Sequence, residues 1–328
     1  MSDGSVSDGS GSDGSGSERS VSERSVSDGL YVVASNSSES GSRFTRFSPS
    51  SGEHRIVFVH GAMDRSTSFS KVRALLSPLT TVAYDRRGYS RSVGLGPAVS
   101  FRDHVDDLLS VIDGQRSVLV GHSYGGNVCL AAAGEFPDLV SAMVVFEAPM
   151  SWEDWWPSNA GGSTIAVGDA QGPEAAAESF MRRIVGDAIW EGLSESTKAA
   201  RRNEGRALLF DLAGLRGRGR PYDPSKVVCP TVIGHGQLSL PHQIRSSVEL
   251  HELLIPSSAE VLLTPSSSSM EVHPLLAASS ADALGAAISA KAPSVLRPVP
   301  GARHGAHSSD PVGFCALVRE AVSLAHAT

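Results

Sequence analysis

The stretch Ser117-Val118-Leu119-Val120-Gly121-His122-Ser123-Tyr124-Gly125-Gly126 leaves this chain few folding options. A short run of β-forming residues enters Gly-His-Ser-Tyr-Gly, and a helix-compatible run from Asn127 to Phe136 leaves it. Strand, sharp turn and helix around G-x-S-x-G read as a nucleophile elbow. Such a turn holds its serine in a strained backbone conformation, and small flanking residues let strand and helix approach each other. Gly121 and Gly125 supply that room. Ser123 Oγ is then expected to stand clear of the sheet edge, at the start of a helix whose dipole favours an oxyanion. The bland alternative is an ordinary β–α turn with a capping serine. The flanking strand and helix, rather than the five-residue motif, favour the elbow.

The rest of the chain supports a sheet around that turn. Arg55-Ile56-Val57-Phe58-Val59 is a continuous apolar run, as expected of a strand buried on both faces. Further strands are predicted at 30–33, 80–84, 142–146, 226–234 and 294–299, with a short antiparallel partner at 44–47. Helices are predicted near 66–76, 101–112 (with Ser100 as N-cap), 280–290 and 310–325. Short apolar strands alternating with helices imply a mostly parallel α/β sheet.

Three stretches break the rhythm. Residues 1–29 consist of Ser, Gly, Asp and Glu in near-repeats and hold too few apolar side chains to offset chain entropy, so a disordered tail is expected. Residues 151–224 contain no clear strand and several helical runs, around 173–186 and 195–212. This insertion between two strands is read as a helical lid over the C-terminal edge of the sheet, where ligands bind in such folds. All four tryptophans lie in it, and Trp152, Trp155 and Trp156 cluster where it leaves the core. They are candidates for an apolar substrate-pocket wall, and equally for packing that fixes the lid. Residues 237–276 are longer than the architecture needs and read as a surface insertion. The core is therefore expected to comprise 30–150 and 225–328.

Composition narrows the partners. The chain has 328 residues, 28 Lys+Arg and 35 Asp+Glu, for a net charge of −7. That balance argues against nucleic acid or an anionic membrane as main partner and leaves a small molecule. The three cysteines, Cys129, Cys229 and Cys315, are far apart in apolar surroundings and read as buried free thiols in a reducing, cytoplasmic compartment. No signal peptide or membrane-spanning run is visible in the sequence. No metal-ligand spacing and no phosphate-cradling motif stand out, so no cofactor and no metal are expected.

The motifs resemble those of the α/β-hydrolase superfamily, in particular its capped, esterase-like serine hydrolases. The matching pieces are His60-Gly61, Asp85-Arg86-Arg87-Gly88-Tyr89-Ser90, Gly121 to Gly126, and Gly301-Ala302-Arg303-His304 followed by Pro311. The resemblance implies an eight-stranded, mostly parallel sheet with helices on both faces, a Ser-His-acid triad and an oxyanion hole. It places the base at His304, with His307 as competitor, and the oxyanion donors on the backbone amides of Tyr124 and Ala62. His122 is expected to pack under the elbow, and His60 to shape its loop.

The acid departs from the usual pattern. The resemblance implies an Asp after the seventh strand, but the chain reads Gly236-Gln237-Leu238-Ser239 there. Glu147 ends the strand predicted to lie beside the nucleophile strand, and strands stand about 4.8 Å apart, so its carboxylate could reach the imidazole. Glu147 is the candidate acid, with Asp211 and Asp154 as alternates. Two functions fit: a serine hydrolase of small or medium apolar esters, thioesters or lactones, or a non-catalytic binding protein on the same scaffold. The missing acid and the odd insertion favour the second; Ser123, His304 and the oxyanion loop favour the first.

Overall fold

The computed structural model describes residues 22–25, 30–35, 54–255 and 294–327. Among them, eight strands form one sheet: β1 (Ser22–Ser25), β2 (Tyr31–Ser35), β3 (Arg55–Val59), β4 (Thr81–Asp85), β5 (Ser117–His122), β6 (Val140–Phe146), β7 (Thr231–Gly236) and β8 (Ser294–Val299). Their order is β1-β2-β4-β3-β5-β6-β7-β8. The β1–β2 and β2–β4 pairs are antiparallel, and every pair from β4 to β8 is parallel. The helices are α1 (Ser70–Leu75), α2 (Phe101–Ile112), α3 (Tyr124–Glu135), α4 (Asn159–Gln171), α5 (Pro173–Val185), α6 (Asp187–Gly192), α7 (Glu195–Asn203), α8 (Gly205–Arg216), α9 (Pro241–Leu254), α10 (Ala306–Ser309) and α11 (Pro311–His326).

Strand alternation splits the core into two layers. Val57 and Val59 join Leu108 of α2, Val128 of α3 and Leu250 of α9 on one face. Ile56 and Phe58 join Val72 of α1 and Phe314 and Val318 of α11 on the other. Each such buried Val, Ile, Leu or Phe contributes roughly 1.5–3 kcal/mol relative to exposure. The strands therefore read as unbroken apolar runs, and the sheet sits between helices. Ser100 caps α2 through a capping box with Asp103, as its sequence predicts, and Asp310 caps α11 by accepting from the Gly313 amide.

Several boundaries differ from expectation. Residues 22–25 lie within the stretch read as a disordered tail, yet they form β1, because the ladder is made by backbone groups that side-chain composition does not report. The strand predicted at 44–47 lies outside the described residues, as does the helix predicted at 280–290. β7 starts at Thr231 rather than near Lys226, since Pro224–Lys226 forms a 3-10 turn and Pro230 lacks the amide a central strand needs. Part of the segment read as a surface insertion, 237–276, is core: α9 buries Leu250 and Leu254 against the sheet. The remainder, from 256, is outside the described residues.

Between β6 and β7 the chain forms five helices, α4 to α8, with no strand among them. The predicted run 195–212 is broken at Glu204, where Gly205 starts α8. A Cβ at Gly205 would fall on the carbonyl of Pro173, so only glycine lets α8 pass α5 there. Trp190, Met181, Leu208, Met63 and Tyr89 form a separate apolar cluster joining these helices to the loops after β3 and β4. Among the described residues, no helix is long and apolar enough to cross a membrane.

Candidate active site

The elbow takes the conformation its sequence demands. Ser123 sits between β5 and α3 with φ 53° and ψ −125°, in the left-handed half of the map that costs a non-glycine residue of order 1–3 kcal/mol. A Cβ at Gly121 would stand 2.6 Å from the Gly126 Cα, and one at Gly125 would collide with the Val59 carbonyl. Both positions accept only glycine. Ser123 donates its amide to the Phe146 carbonyl at 2.8 Å, which ties the strained turn to β6.

Glu147 repeats this device one strand further on. His122 of β5 is paired with Phe146 of β6, and Phe146 with Gly234 of β7. Ser123 and Glu147 are thus the first residues past neighbouring strand ends. Glu147 also has positive φ, 49°, and donates its amide to the Gly234 carbonyl at 3.1 Å. Its side chain is buried, and Oε1 accepts from the Gly236 amide at 2.7 Å. The other oxygen, Oε2, lies 2.5 Å from His304 Nδ1. A carboxylate fixed by one oxygen and bonded to an imidazole by the other selects the tautomer with the proton on Nδ1. It leaves Nε2 with a lone pair.

The loop that carries His304 is tied down on two sides. Gln237 and Leu238 donate their amides to Val299 and Ala302 at 3.0 and 2.9 Å, so the turn after β8 folds against the end of β7. His122 Nε2 donates to the His304 carbonyl at 2.8 Å, which joins the loop to the elbow. His122 is buried under the elbow, as expected, and burial first, then His307 and His304, push its pKa well below the ordinary imidazole value.

The loop after β3 lies against the elbow: a Cβ on Gly61 would stand 2.9 Å from the Ser123 Cβ. Tyr124 is the first residue of α3, so its amide has no carbonyl one turn back to bond. Ala62 follows Gly61 in the same loop. His60 is wholly buried: Nδ1 donates to the Gly61 carbonyl at 2.7 Å and Nε2 accepts the Arg86 amide at 2.8 Å. Burial, then the Arg86 charge, bring its pKa down to about 4, so it shapes the loop as a neutral ring.

Of the alternate acids, Asp211 of α8 is committed elsewhere. It pairs with the buried Arg86 at 2.6 Å, accepts from Tyr89 Oη at 2.7 Å and lies 3.2 Å from His104 Nε2. This cluster holds α8 at the C-terminal end of β4. Asp154 is exposed. Ser239, where the resemblance implies the acid, presses its Oγ toward Gly236, the residue that holds Glu147.

Residues 56–317 match the model of the alpha/beta hydrolase family. The chain belongs to that family. An uncharacterised protein of Mycobacterium tuberculosis is 36% identical over 97 residues, 28% of each chain. A 2-(acetamidomethylene)succinate hydrolase of Mesorhizobium japonicum is 32% identical over 96 residues, 28% of this chain and 34% of that one. The chain thus spans only about a third or less of the length of these curated relatives. The structure of a thermophilic esterase from Thermogutta terrifontis superposes with a TM-score of 0.58 at 16% identity, covering 94% of this chain and 99% of the other. At that identity the likeness concerns the fold.

In this α/β hydrolase the three early tryptophans are half-buried and differ in their surroundings. The Trp156 ring is 4.7 Å from that of His242, whose pKa is lowered by burial and then by His304. Trp155 lies under Arg245 and donates to Glu249 at 3.0 Å, while Trp152 abuts Tyr222. A cleft of about 300 Å³ beside α2 and α8 is lined by Phe101, Val105, Tyr124 and Phe210; none of the three tryptophans lines it.

Sequence reading missed one group. Asp64, His122 and His307 converge behind the elbow, with candidate ligand atoms all within 4.8 Å of one another. Positions 64, 122 and 307 share no spacing that a motif could report. His307, read as the competitor base, faces Asp64 here, with Nε2 3.1 Å from Oδ2.

Proposed function

We propose that this protein is a serine hydrolase with a Ser123-His304-Glu147 triad, acting on small or medium apolar esters, thioesters or lactones through an acyl-enzyme. The observation that carries the reading is the 2.5 Å contact between Glu147 Oε2 and His304 Nδ1 beside a serine strained into an elbow. In the proposed reaction His304 Nε2 takes the Ser123 Oγ proton as the oxygen attacks the acyl carbon. The amides of Ala62 and Tyr124 stabilise the oxyanion of the tetrahedral intermediate. His304 then hands its proton to the leaving alcohol or thiol; water, deprotonated by the same ring, releases the acid. Glu147 holds the Nδ1–H tautomer and offsets the imidazolium charge. In this reading the helices α4 to α8 act as the lid, and Trp156 contributes to the acyl wall.

A non-catalytic scaffold drew support from the missing carboxylate after β7 and from the insertion read at 237–276. A buried carboxylate at Glu147, bonded to the same imidazole, takes away the first support. Labelling with a fluorophosphonate probe and turnover of an aryl-ester series of rising acyl length test the proposal together. Wild type should be labelled and turn over. Ser123→Ala should lose both, and Ser123→Ala with His304→Ala should cost little more than either alone, because the triad acts as a unit. Unlabelled, inactive wild type, or an active Ser123→Ala, would refute it.

A further inference from the structure

Behind the elbow, His122 Nδ1, Asp64 Oδ2 and His307 Nε2 face one another, all within 4.8 Å. His122 Nε2 points at the His304 carbonyl, which can only accept, so this nitrogen carries the ring's proton. The ring is 5% exposed, and its Nδ1 has no hydrogen-bond partner. That nitrogen is aimed at Asp64 Oδ2, 3.8 Å away. His307 Nε2 stands 3.1 Å from the same oxygen. Two buried acceptors turned toward each other cost free energy unless something positive bridges them.

We propose that Asp64 Oδ2, His122 Nδ1 and His307 Nε2 form a binding site for a divalent transition metal ion of the Zn²⁺ class. Two imidazoles and a carboxylate are borderline donors suited to Zn²⁺ rather than to Ca²⁺ or Mg²⁺. Around a tetrahedral ion with bonds of about 2.0–2.1 Å, neighbouring ligand atoms stand roughly 3.3–3.4 Å apart. The two distances to Asp64, 3.1 and 3.8 Å, bracket that spacing, and all three atoms lie within 4.8 Å of one another, so the side chains need only close in on the ion. Gly61 keeps the approach open: a Cβ there would come 3.2 Å from His122 Nδ1. The bond from His122 Nε2 to a backbone carbonyl is the outer-shell contact that orients a ligating histidine. Asp64, with its side chain 20% exposed, is the side from which an ion and a fourth, water ligand reach the site. The ion would brace the His304 loop through His122 without touching Ser123, so the site does not depend on the proposed hydrolysis.

The test uses the full chain, stripped with a chelator and dialysed. ZnCl₂ is titrated in competition with a chromophoric chelator, and CoCl₂ is followed by its visible bands, which are intense for a tetrahedral N/O site. One equivalent of Zn²⁺ is expected, with affinity at least about tenfold weaker in Asp64→Asn and in His307→Ala, since even outer-shell losses cost that much. His304→Ala should bind as wild type does. Circular dichroism reports whether each variant folds; if His307→Ala does not, Asp64→Asn carries the test alone. The proposal is overturned if wild type takes up no stoichiometric Zn²⁺ or if Asp64→Asn binds unchanged. It is equally overturned if His304→Ala alone abolishes binding, which would put the ion at the Glu147–His304 pair.

Discussion

Replacing Glu147 by Gln tests the proposed triad at its least expected member. The two carboxylate oxygens each accept one hydrogen bond, Oε1 from the Gly236 amide at 2.7 Å and Oε2 from His304 Nδ1 at 2.5 Å. A glutamine has one acceptor oxygen for these two donors. If its oxygen stays on Gly236, its amino group faces Nδ1 and selects the tautomer protonated on Nε2. That ring cannot take a proton from Ser123. If the oxygen turns to Nδ1, the amino group meets the buried Gly236 amide, leaving two donors face to face. Either way the variant loses the charge that offsets the imidazolium and pays for a misplaced proton. Triad-acid variants of this kind cost up to about 10⁴ in kcat. The His304 side chain is 29% exposed, so water compensates part of the loss. An expected range of about 10² to 10⁴ in kcat follows, or roughly 2.7–5.4 kcal/mol at 1.36 kcal/mol per decade. The assay is turnover of an aryl acetate, with the rate of fluorophosphonate labelling as an independent measure and circular dichroism as a check on folding. Ser239→Asp added to this variant should restore part of the rate if the turn after β7 presents a carboxylate to the same ring. Near-wild-type kcat in Glu147→Gln, in a protein that Ser123→Ala inactivates, would refute the reasoning.

Three further outcomes are expected. Asp211→Asn leaves the buried Arg86 guanidinium without its counter-charge, which should destabilise the fold by about 3–5 kcal/mol in denaturant titrations. Burial raises the Asp211 carboxyl, but Arg86 and His104 outweigh it and hold its folded pKa far below the unfolded value near 3.9. Its stabilisation is therefore complete above about pH 4 and fades as pH falls toward the folded value, so Asp211→Asn should flatten the acid limb of the stability curve; an unchanged limb would refute the linkage. Trp156→Ala should lower kcat/KM for long acyl chains more than for acetyl, whereas Trp155→Ala and Trp152→Ala should change stability without changing chain-length preference; equal effects across the series in Trp156→Ala would remove it from the acyl wall. Deleting residues 2–28 removes β1 and its ladder to β2, and the melting temperature should drop by about 1–2 °C, as for a loss of about 1 kcal/mol in a chain of this size. An unchanged Tm would mean the edge pairing adds nothing to the fold.

Local chemistry made much of this protein legible before any coordinates. Gly121, Ser123 and Gly125 announce their turn because a Cβ at either glycine has nowhere to go, and that constraint is written in consecutive residues. The apolar runs of β3, β5 and β6 announce a sheet covered on both faces, and with it the alternation of strand and helix that fixes the fold class. The position of Glu147 at a strand end was equally visible, as was the absence of an acid at Ser239. Its partner was decided by tertiary structure: β8 lies beside β7, and the turn after β8 folds back onto the end of β7. His304 is thereby carried to a carboxylate 157 positions away in the chain. The same holds for what the sequence did not show. β1 forms through backbone groups that composition ignores. Arg86 and Asp211 are each ordinary surface residue types until the packing of α8 buries them together. Asp64, His122 and His307 share no spacing, and only the convergence of the loop after β3, the end of β5 and α10 makes them neighbours. A sequence specifies periodicity and steric limits over a few residues. Which distant side chains share a site is set by strand order and register, and those are settled only when the whole core closes.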